Sequence, residues 1–354
     1  MRIAIQRVLC GLWFVGFSLI ANAANGDLDP SFGTGGFRMA GILDGYATIP
    51  AGMAIQSDGK ILICEAEGPS SSTDFFVARF TANGAVDTTF SFDGHTTVDF
   101  GGNADICSGI AVQADGNIVV SGTTTPSGGN SDFAVARLNS DGTLDVTGFG
   151  AGTGKAVYGF DLGGTNADTA NSLALRPDGR IVVAGSAQTA ANGTDFAILQ
   201  LNTDGSRDTT FNLTGRVTVG FDFASSTSKD DSALHVAIDA EGRIVAAGLA
   251  NRVAPSNTDM AVIRLLANGQ LDPDFSADGR ATLAFDLGGA GGSNADGAFG
   301  MTLDRDGRIV LAGFADSGTT ATQNGDVAIA RLLPDGSPDA TFGIGGKTTI
   351  AFDL

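Results

Sequence analysis

The segment Phe133-Ala-Val-Ala-Arg-Leu138 is apolar on both faces of an extended chain, with Phe133 and Val135 on one side and Ala134, Ala136 and Leu138 on the other. That pattern predicts a strand covered on both faces. The residues after it, Ser140-Asp141-Gly142, suit a three-residue loop in which a type I turn is closed by a left-handed glycine. The whole stretch has five near copies, at residues 73–87, 131–145, 194–208, 258–272 and 325–339. In every copy a polar residue (Arg79, Arg137, Gln200, Arg264, Arg331) stands eight positions before an aspartate (Asp87, Asp145, Asp208, Asp272, Asp339). The loop length sets each pair opposite one another, so Arg79 with Asp87, Arg137 with Asp145, Arg264 with Asp272 and Arg331 with Asp339 are expected to form cross-strand ion pairs. Gln200 keeps a hydrogen bond to Asp208 without the charge.

Each unit passes the same stations in order. An Asp-x-x-Phe…Gly turn, such as Asp208, Phe211 and Gly215, precedes a first strand with alternating Val, Phe or Ile, as in Arg216 to Asp222. A Gly/Ser/Asn/Asp loop of variable length leads to a second strand such as Ser172 to Arg176, and a turn at Pro177-Asp178-Gly179 joins it to the β-branched third strand, Arg180 to Gly185. A second variable loop returns to the both-sided strand, so a unit holds four strands. The units run over about 29–87, 88–145, 146–208, 209–272 and 273–339, with a closing strand in 340–354. No helical period is sustained. The fold class is therefore all-β, a β-propeller of about five four-stranded blades. The first strand occurs six times, at Phe37 to Gly41 and again up to Lys347 to Asp353, and the C-terminal copy is expected to close the ring by completing the first blade.

These stations resemble the delta-60 repeat family, whose unit carries D-x-x-F-G-x-x-G, then D-G-K-I-V-V-A-G, then D-F-A-V-A-R-L-N. Here the matching residues are Asp29 to Gly36, Asp178 to Gly185 and Asp132 to Asn139, and the likeness covers essentially residues 24–354. The resemblance implies tandem propeller-like repeats in an exported bacterial protein, with no general biochemical function to carry over.

Residues 1–23 read as an export signal. Arg2 and Arg7 open it, Val8 to Ile20 is an apolar core too short to span a bilayer, and Ala21-Asn22-Ala23 is a small-x-small cleavage site. Localisation is then secreted, periplasmic or cell-surface, with no membrane span in the mature chain. Losing the leader's two arginines takes the formal charge from −19 to −21, which excludes nucleic acid as a partner. Cys64 and Cys107 fill slots held by small core residues in other units, and an exported chain permits a disulfide, but spacing leaves their pairing open.

The site chemistry is thin. Asp141 and Asp145, with Asp204 and Asp208, resemble calcium-loop spacing, yet an arginine falls at the first ligand position of most copies, so turn chemistry is the stronger reading. Calcium is the one cofactor left open; otherwise none is expected. Asn103-Ala-Asp105, Asn166-Ala-Asp168, Asn294-Ala-Asp296 and Asp230-Asp231 precede the second strands and would make an electronegative collar if aligned, against a simpler local role in bonding backbone. His95 and His235 fall at non-equivalent positions, which argues against a histidine metal centre or a Ser-His-Asp triad, and no catalytic residue is assigned. The function expected is a non-enzymatic binding or structural module, monomeric, meeting a protein or glycan through variable loops such as Glu67 to Asp74 and Phe314 to Asp326. The competing reading is a carbohydrate-active hydrolase with acids in the propeller tunnel.

Overall fold

The computed structural model describes residues 27–38, 51–68, 72–190, 193–221, 223, 229–252, 257–287, 294–316, 318 and 325–351. The export signal and the greater part of Phe37 to Gly41 lie outside them, as do parts of both variable loops named above. The strands form five antiparallel sheets, each of four consecutive strands. The first holds Gly52–Ile55 (β1), Ile61–Glu67 (β2), Asp74–Phe80 (β3) and His95–Val98 (β4). The second holds Gly102–Val112 (β5), Ile118–Pro126 (β6), Asp132–Leu138 (β7) and Lys155–Tyr158 (β8). The third holds Asp168–Leu175 (β9), Ile181–Thr189 (β10), Gly193–Leu201 (β11) and Arg216–Val219 (β12). The fourth holds Asp231–Ile238 (β13), Ile244–Asn251 (β14), Thr258–Leu265 (β15) and Arg280–Leu283 (β16), and the fifth Asp296–Leu303 (β17), Ile309–Asp316 (β18), Gly325–Leu332 (β19) and Lys347–Ile350 (β20). Apart from one 3₁₀ turn at Gly150–Gly152, the described residues contain no helix, and so none long and apolar enough to cross a membrane.

The sheets do not coincide with the sequence units. After the both-sided strand the chain makes a single bridge, such as Leu138 with Leu144, then the Asp-x-x-Phe turn, and returns as an outer strand on the same sheet. The first strand of each unit thus belongs to the preceding unit's sheet. The expected closure is corrected accordingly: β20 pairs with β19, Val327 opposite Ile350, and completes the fifth sheet rather than the first. Its neighbour is fixed by the short return turn Asp339 to Gly346, which reaches only the strand just left.

Stacking buries both faces of the interior sheets. Leu62, Cys64, Phe75 and Val77 interlock with Ile118, Val120, Ala134 and Ala136 of the second sheet. Val119, Phe133 and Val135 on the second sheet's other face meet Ile181, Val183, Ala197 and Leu199 of the third. The third meets the fourth, and the fourth the fifth, through equivalent positions. Each sheet therefore has a leading face toward the next and a trailing face toward the one before. Cys64 and Cys107 are joined by a disulfide across the first junction, with Cα atoms 6.1 Å apart, a separation such bonds favour.

Candidate functional site: the blade junctions

The paired residues meet where successive sheets lock together. Arg79 Nε donates to Asp87 Oδ2 at 2.8 Å, Arg137 to Asp145 at 2.8 Å, Arg264 to Asp272 at 2.7 Å and Arg331 to Asp339 at 2.8 Å, while Gln200 Nε2 donates to Asp208 at 2.8 Å. Each guanidinium lies over the phenylalanine of the following turn, Arg79 over Phe90 at 4.7 Å and Arg264 over Phe275 at 4.8 Å. From there Nη1 of Arg79, Arg137 and Arg264 donates to Ser140 O, Thr203 O and Pro334 O in the next sheet's turn. The phenylalanine enters beneath that turn's glycine: a Cβ at Gly142 would stand 2.9 Å from Phe90, and one at Gly205 2.7 Å from Phe149. The backbone seals the joint, with Ser91 N donating to Asp141 O at 2.7 Å and Asn212 N to Asn268 O at 2.7 Å. Pair, ring and turn form one clasp per junction.

The calcium-like aspartates are spent in this clasp. Asp145 accepts from Arg137, Thr147 and Gly148, and Asp208 from Gln200 and Thr210. Asp141 and Asp204 close their own turns by accepting from Thr143 and Ser206. Burial works to raise the Asp145 carboxyl, but the hydrogen bonds from Gly148, Arg137 and Thr147 outweigh it and hold it at about 2; Asp87 is likewise held at about 2 against its burial by Thr89, Lys60 and Arg79. Both folded values lie below the unfolded carboxylate range, so the stability they confer is present above about pH 4 and is lost as pH falls toward 2. Melting temperature should therefore drop steeply over that window, and Asp145→Asn should flatten the drop.

Other carboxylates gather at the junctions. Asp105 N donates to Thr73 O at 2.7 Å, which draws the start of β5 beside the start of β3, and Asp74, Asp99 and Asp105 each place a carboxylate oxygen within 4.8 Å of the others. Asp105 is 1% exposed; its Oδ2 accepts from Phe100 N at 2.7 Å, and its buried Oδ1 has no hydrogen-bond partner. Burial raises the Asp74 carboxyl, and Asp99 and Asp105 raise it further.

Related aspartates stand at two further junctions, where among the described residues no three carboxylates share that spacing. Asp168 N donates to Ser131 O and Phe160 N donates to Asp168 Oδ2, again leaving a buried Oδ1 without a partner. Asp132 Oδ1 and Asp161 Oδ2 converge at Gly159, where a Cβ would stand 2.7 and 2.9 Å from them. Burial lifts the Asp168 carboxyl to about 6, with Asp132 and Asp161 adding to the shift. Asp296 repeats the arrangement on Phe285, and burial with Asp259 and Asp286 nearby lifts it to about 7. There Arg252 pairs with Asp259 at 3.0 Å. The Asn-Ala-Asp aspartates thus bond backward to the end of the preceding sheet rather than to backbone two residues on. Sequence reading singled out only one member of each trio. The other two were visible as the Asp opening each both-sided strand and the Asp closing most first strands, but nothing in the spacing said that they converge.

The fifth sheet ends the series. Val310, Ala312, Val327, Ile329 and Ile350 occupy the leading-face positions that Leu62, Cys64, Phe75, Val77 and Val98 bury in the first sheet, and Val327 and Ile350 are 38% and 49% exposed. In the second and third sheets the bulged residue of the second strand bonds the next sheet: Ser108 Oγ donates to Ala170 O and Asn171 Nδ2 to Ala233 O. In the fifth sheet that position is Phe299, 60% exposed and stacked on Phe314 with centroids 5.4 Å apart. At the other end Phe32 already fills the turn at Gly84 as Phe90 fills Gly142, and Gly33 N donates to Asn83 O.

Tandem four-stranded antiparallel sheets stacked through a repeated clasp define a β-propeller repeat protein. The chain belongs to the family described as Domain of unknown function (DUF5122) beta-propeller, which it matches over residues 56–90, 113–147, 176–211, 240–275 and 305–342. Four of the matched spans run from the turn before a third strand to the phenylalanine of the clasp, and the span 113–147 stops two residues short of Phe149. No curated protein matches the chain. Among solved structures it is similar to a protein of unknown function from Dyadobacter fermentans, at 11% identity over 86% of this chain and 83% of that one, with a TM-score of 0.47. An alpha-L-arabinofuranosidase from Lactobacillus brevis is 13% identical over 85% and 96% of the two chains with a TM-score of 0.42, and an endo-arabinase from Bacteroides thetaiotaomicron 8% identical over 79% and 93% with a TM-score of 0.38.

Proposed function

We propose that this chain is an exported, non-enzymatic repeat scaffold whose fifth-sheet face docks a protein partner, and that the partner is a second copy of the chain. The observation that carries the reading is the leading face of the fifth sheet, which no sheet among the described residues covers. At four junctions the equivalent face receives another sheet, and here it carries the stacked pair Phe299 and Phe314 where the second sheet uses Ser108 and Thr123, and the third Asn171, to bond the next sheet. Exposed apolar patches of this kind mark interaction surfaces. Head-to-tail docking onto a first sheet meets a turn already filled by Phe32. Two fifth sheets packed face to face, self-complementary about a two-fold axis, avoid that block. Export is supported by the disulfide, which persists in oxidising compartments.

Sedimentation velocity over a concentration series tests the reading. The mature protein should run as a dimer, and Val327→Asp or Phe299→Ser should each leave a folded monomer. A wild-type monomer throughout the series overturns it, as does a dimer indifferent to both changes. Turnover of a soluble glycan that a single Asp or Glu change abolishes would replace the scaffold by an enzyme.

A further inference from the structure

The geometry points to a divalent cation site of calcium type at the first blade junction, ligated by Asp74, Asp99 and Asp105. It lies apart from the docking face and does not depend on it. Oxygens sharing one calcium lie about 2.3–2.6 Å from the ion, so two of them stand up to about 5 Å apart. The three carboxylates, each with an oxygen within 4.8 Å of the others, already meet that limit without rearrangement. Magnesium, bound at about 2.0–2.1 Å, holds opposed oxygens near 4.2 Å and suits the spread less well. An all-oxygen, all-carboxylate set selects a hard cation over zinc or copper.

Clustered acids alone would be an exposed patch; the second observation is Asp105. It is 1% exposed, one carboxylate oxygen is engaged by Phe100 N, the other is buried with no donor, and the carboxylate reaches within 4.8 Å of those of Asp74 and Asp99. A buried, unsatisfied carboxylate oxygen is costly, and a metal ion is a partner that also offsets the neighbouring charges. The backbone holds the ligands from both sides of the junction. Thr73 O takes Asp105 N, and Gly101 N donates to Asp99 Oδ1, so the loop linking the sheets turns round the carboxylates.

The repeats supply a comparison within the molecule. Asp168 keeps the orphaned buried oxygen, with Asp132 and Asp161 nearby, but that trio does not share the 4.8 Å spacing of the first. At the fourth junction Arg252 pairs with the Asp259 carboxylate at 3.0 Å, whereas at the first the nearby cation, Lys155, donates to the backbone oxygen of Asp99 at 2.7 Å. The ion would tie β3, β5 and their connecting loop together at one end of the joint whose core the disulfide also crosses.

Isothermal titration calorimetry of the chelator-treated mature chain with calcium chloride, beside thermal melts, tests this. Asp99 is exposed and its change to Asn leaves the core untouched. Wild type should bind calcium saturably and gain several degrees in melting temperature, beyond what sodium chloride of equal ionic strength gives. Asp99→Asn should lose one site from the stoichiometry, or weaken it at least tenfold, while its calcium-free melting temperature stays at the wild-type value. Asp105→Asn should lose the same site. Absence of saturable binding to wild type overturns the assignment, and so does unchanged stoichiometry and affinity in Asp99→Asn.

Discussion

Replacing both Cys64 and Cys107 with serine should destabilise the protein by more than the loop-entropy cost, about 4 kcal/mol, of freeing a bond that closes a sequence separation of 43 residues. Both sulfurs lie in the core of the first junction among Leu62, Phe75, Ile110 and Val120, so two serine hydroxyls would add the cost of polar groups without partners. Alanine at both positions separates the two effects, because alanine already occupies the equivalent slots at Ala184 and Ala247, and at Ala170 and Ala233. The double-alanine chain should lose the cross-link contribution alone. Equilibrium unfolding in guanidinium, followed by tryptophan-free probes such as far-UV circular dichroism, measures both, and a reductant should bring wild type to the double-alanine value. A midpoint indifferent to reductant would show that the bond adds nothing to the first junction. In a stacked array the loss should appear at that end first, since each sheet touches only its neighbours.

The disulfide also shows where sequence reading stops. The slots of Cys64 and Cys107 were identifiable as small core positions from their equivalents, yet their apposition depends on which leading face meets which trailing face. Strands and turns were legible because every unit repeats them at fixed offsets. The Arg-to-Asp spacing placed the pair correctly opposite, as the Asp145 N to Arg137 O hydrogen bond shows. Sheet membership of the first strand was not legible, because a strand with one recognised neighbour reads the same whether it pairs backward or forward. Hence the C-terminal strand was assigned to the first sheet, although its return turn allows only the fifth. The carboxylate trios were hidden for a related reason. Their members come from two units and from both ends of a loop whose length varies, so no fixed spacing connects them. Exposure of Val327 and Ile350 was hidden altogether, since their residue types match buried equivalents and what sets them apart is that no sheet follows among the described residues.

Arg264→Ala should cost about 3–5 kcal/mol, because it strands a buried carboxylate. Asp272 is 2% exposed and receives Arg264 Nε at 2.7 Å; the same guanidinium covers Phe275 and reaches Pro334 O in the fifth sheet. Truncation therefore removes an ion pair, a ring contact and an inter-sheet hydrogen bond in one step. Arg243 Nη1, 3.8 Å from Asp272, moderates the loss without replacing the donor. The third unit indicates how a lesser change behaves. Gln200 there donates to Asp208 at 2.8 Å, and Arg180 stands 3.5 Å from the same carboxylate oxygen, so a neutral amide with a cation nearby sustains the clasp. Arg264→Gln, with Arg243 placed as Arg180 is, should thus lose well under half of what alanine loses. Adding Arg243→Ala to Arg264→Gln should restore most of the alanine penalty, whereas Arg243→Ala alone should cost little, its own pairs being partly exposed. Denaturant midpoints of the four proteins close this cycle. Equal losses for glutamine and alanine would mean that the inter-sheet reach to Pro334, which glutamine is too short to make, carries the clasp rather than the carboxylate pair.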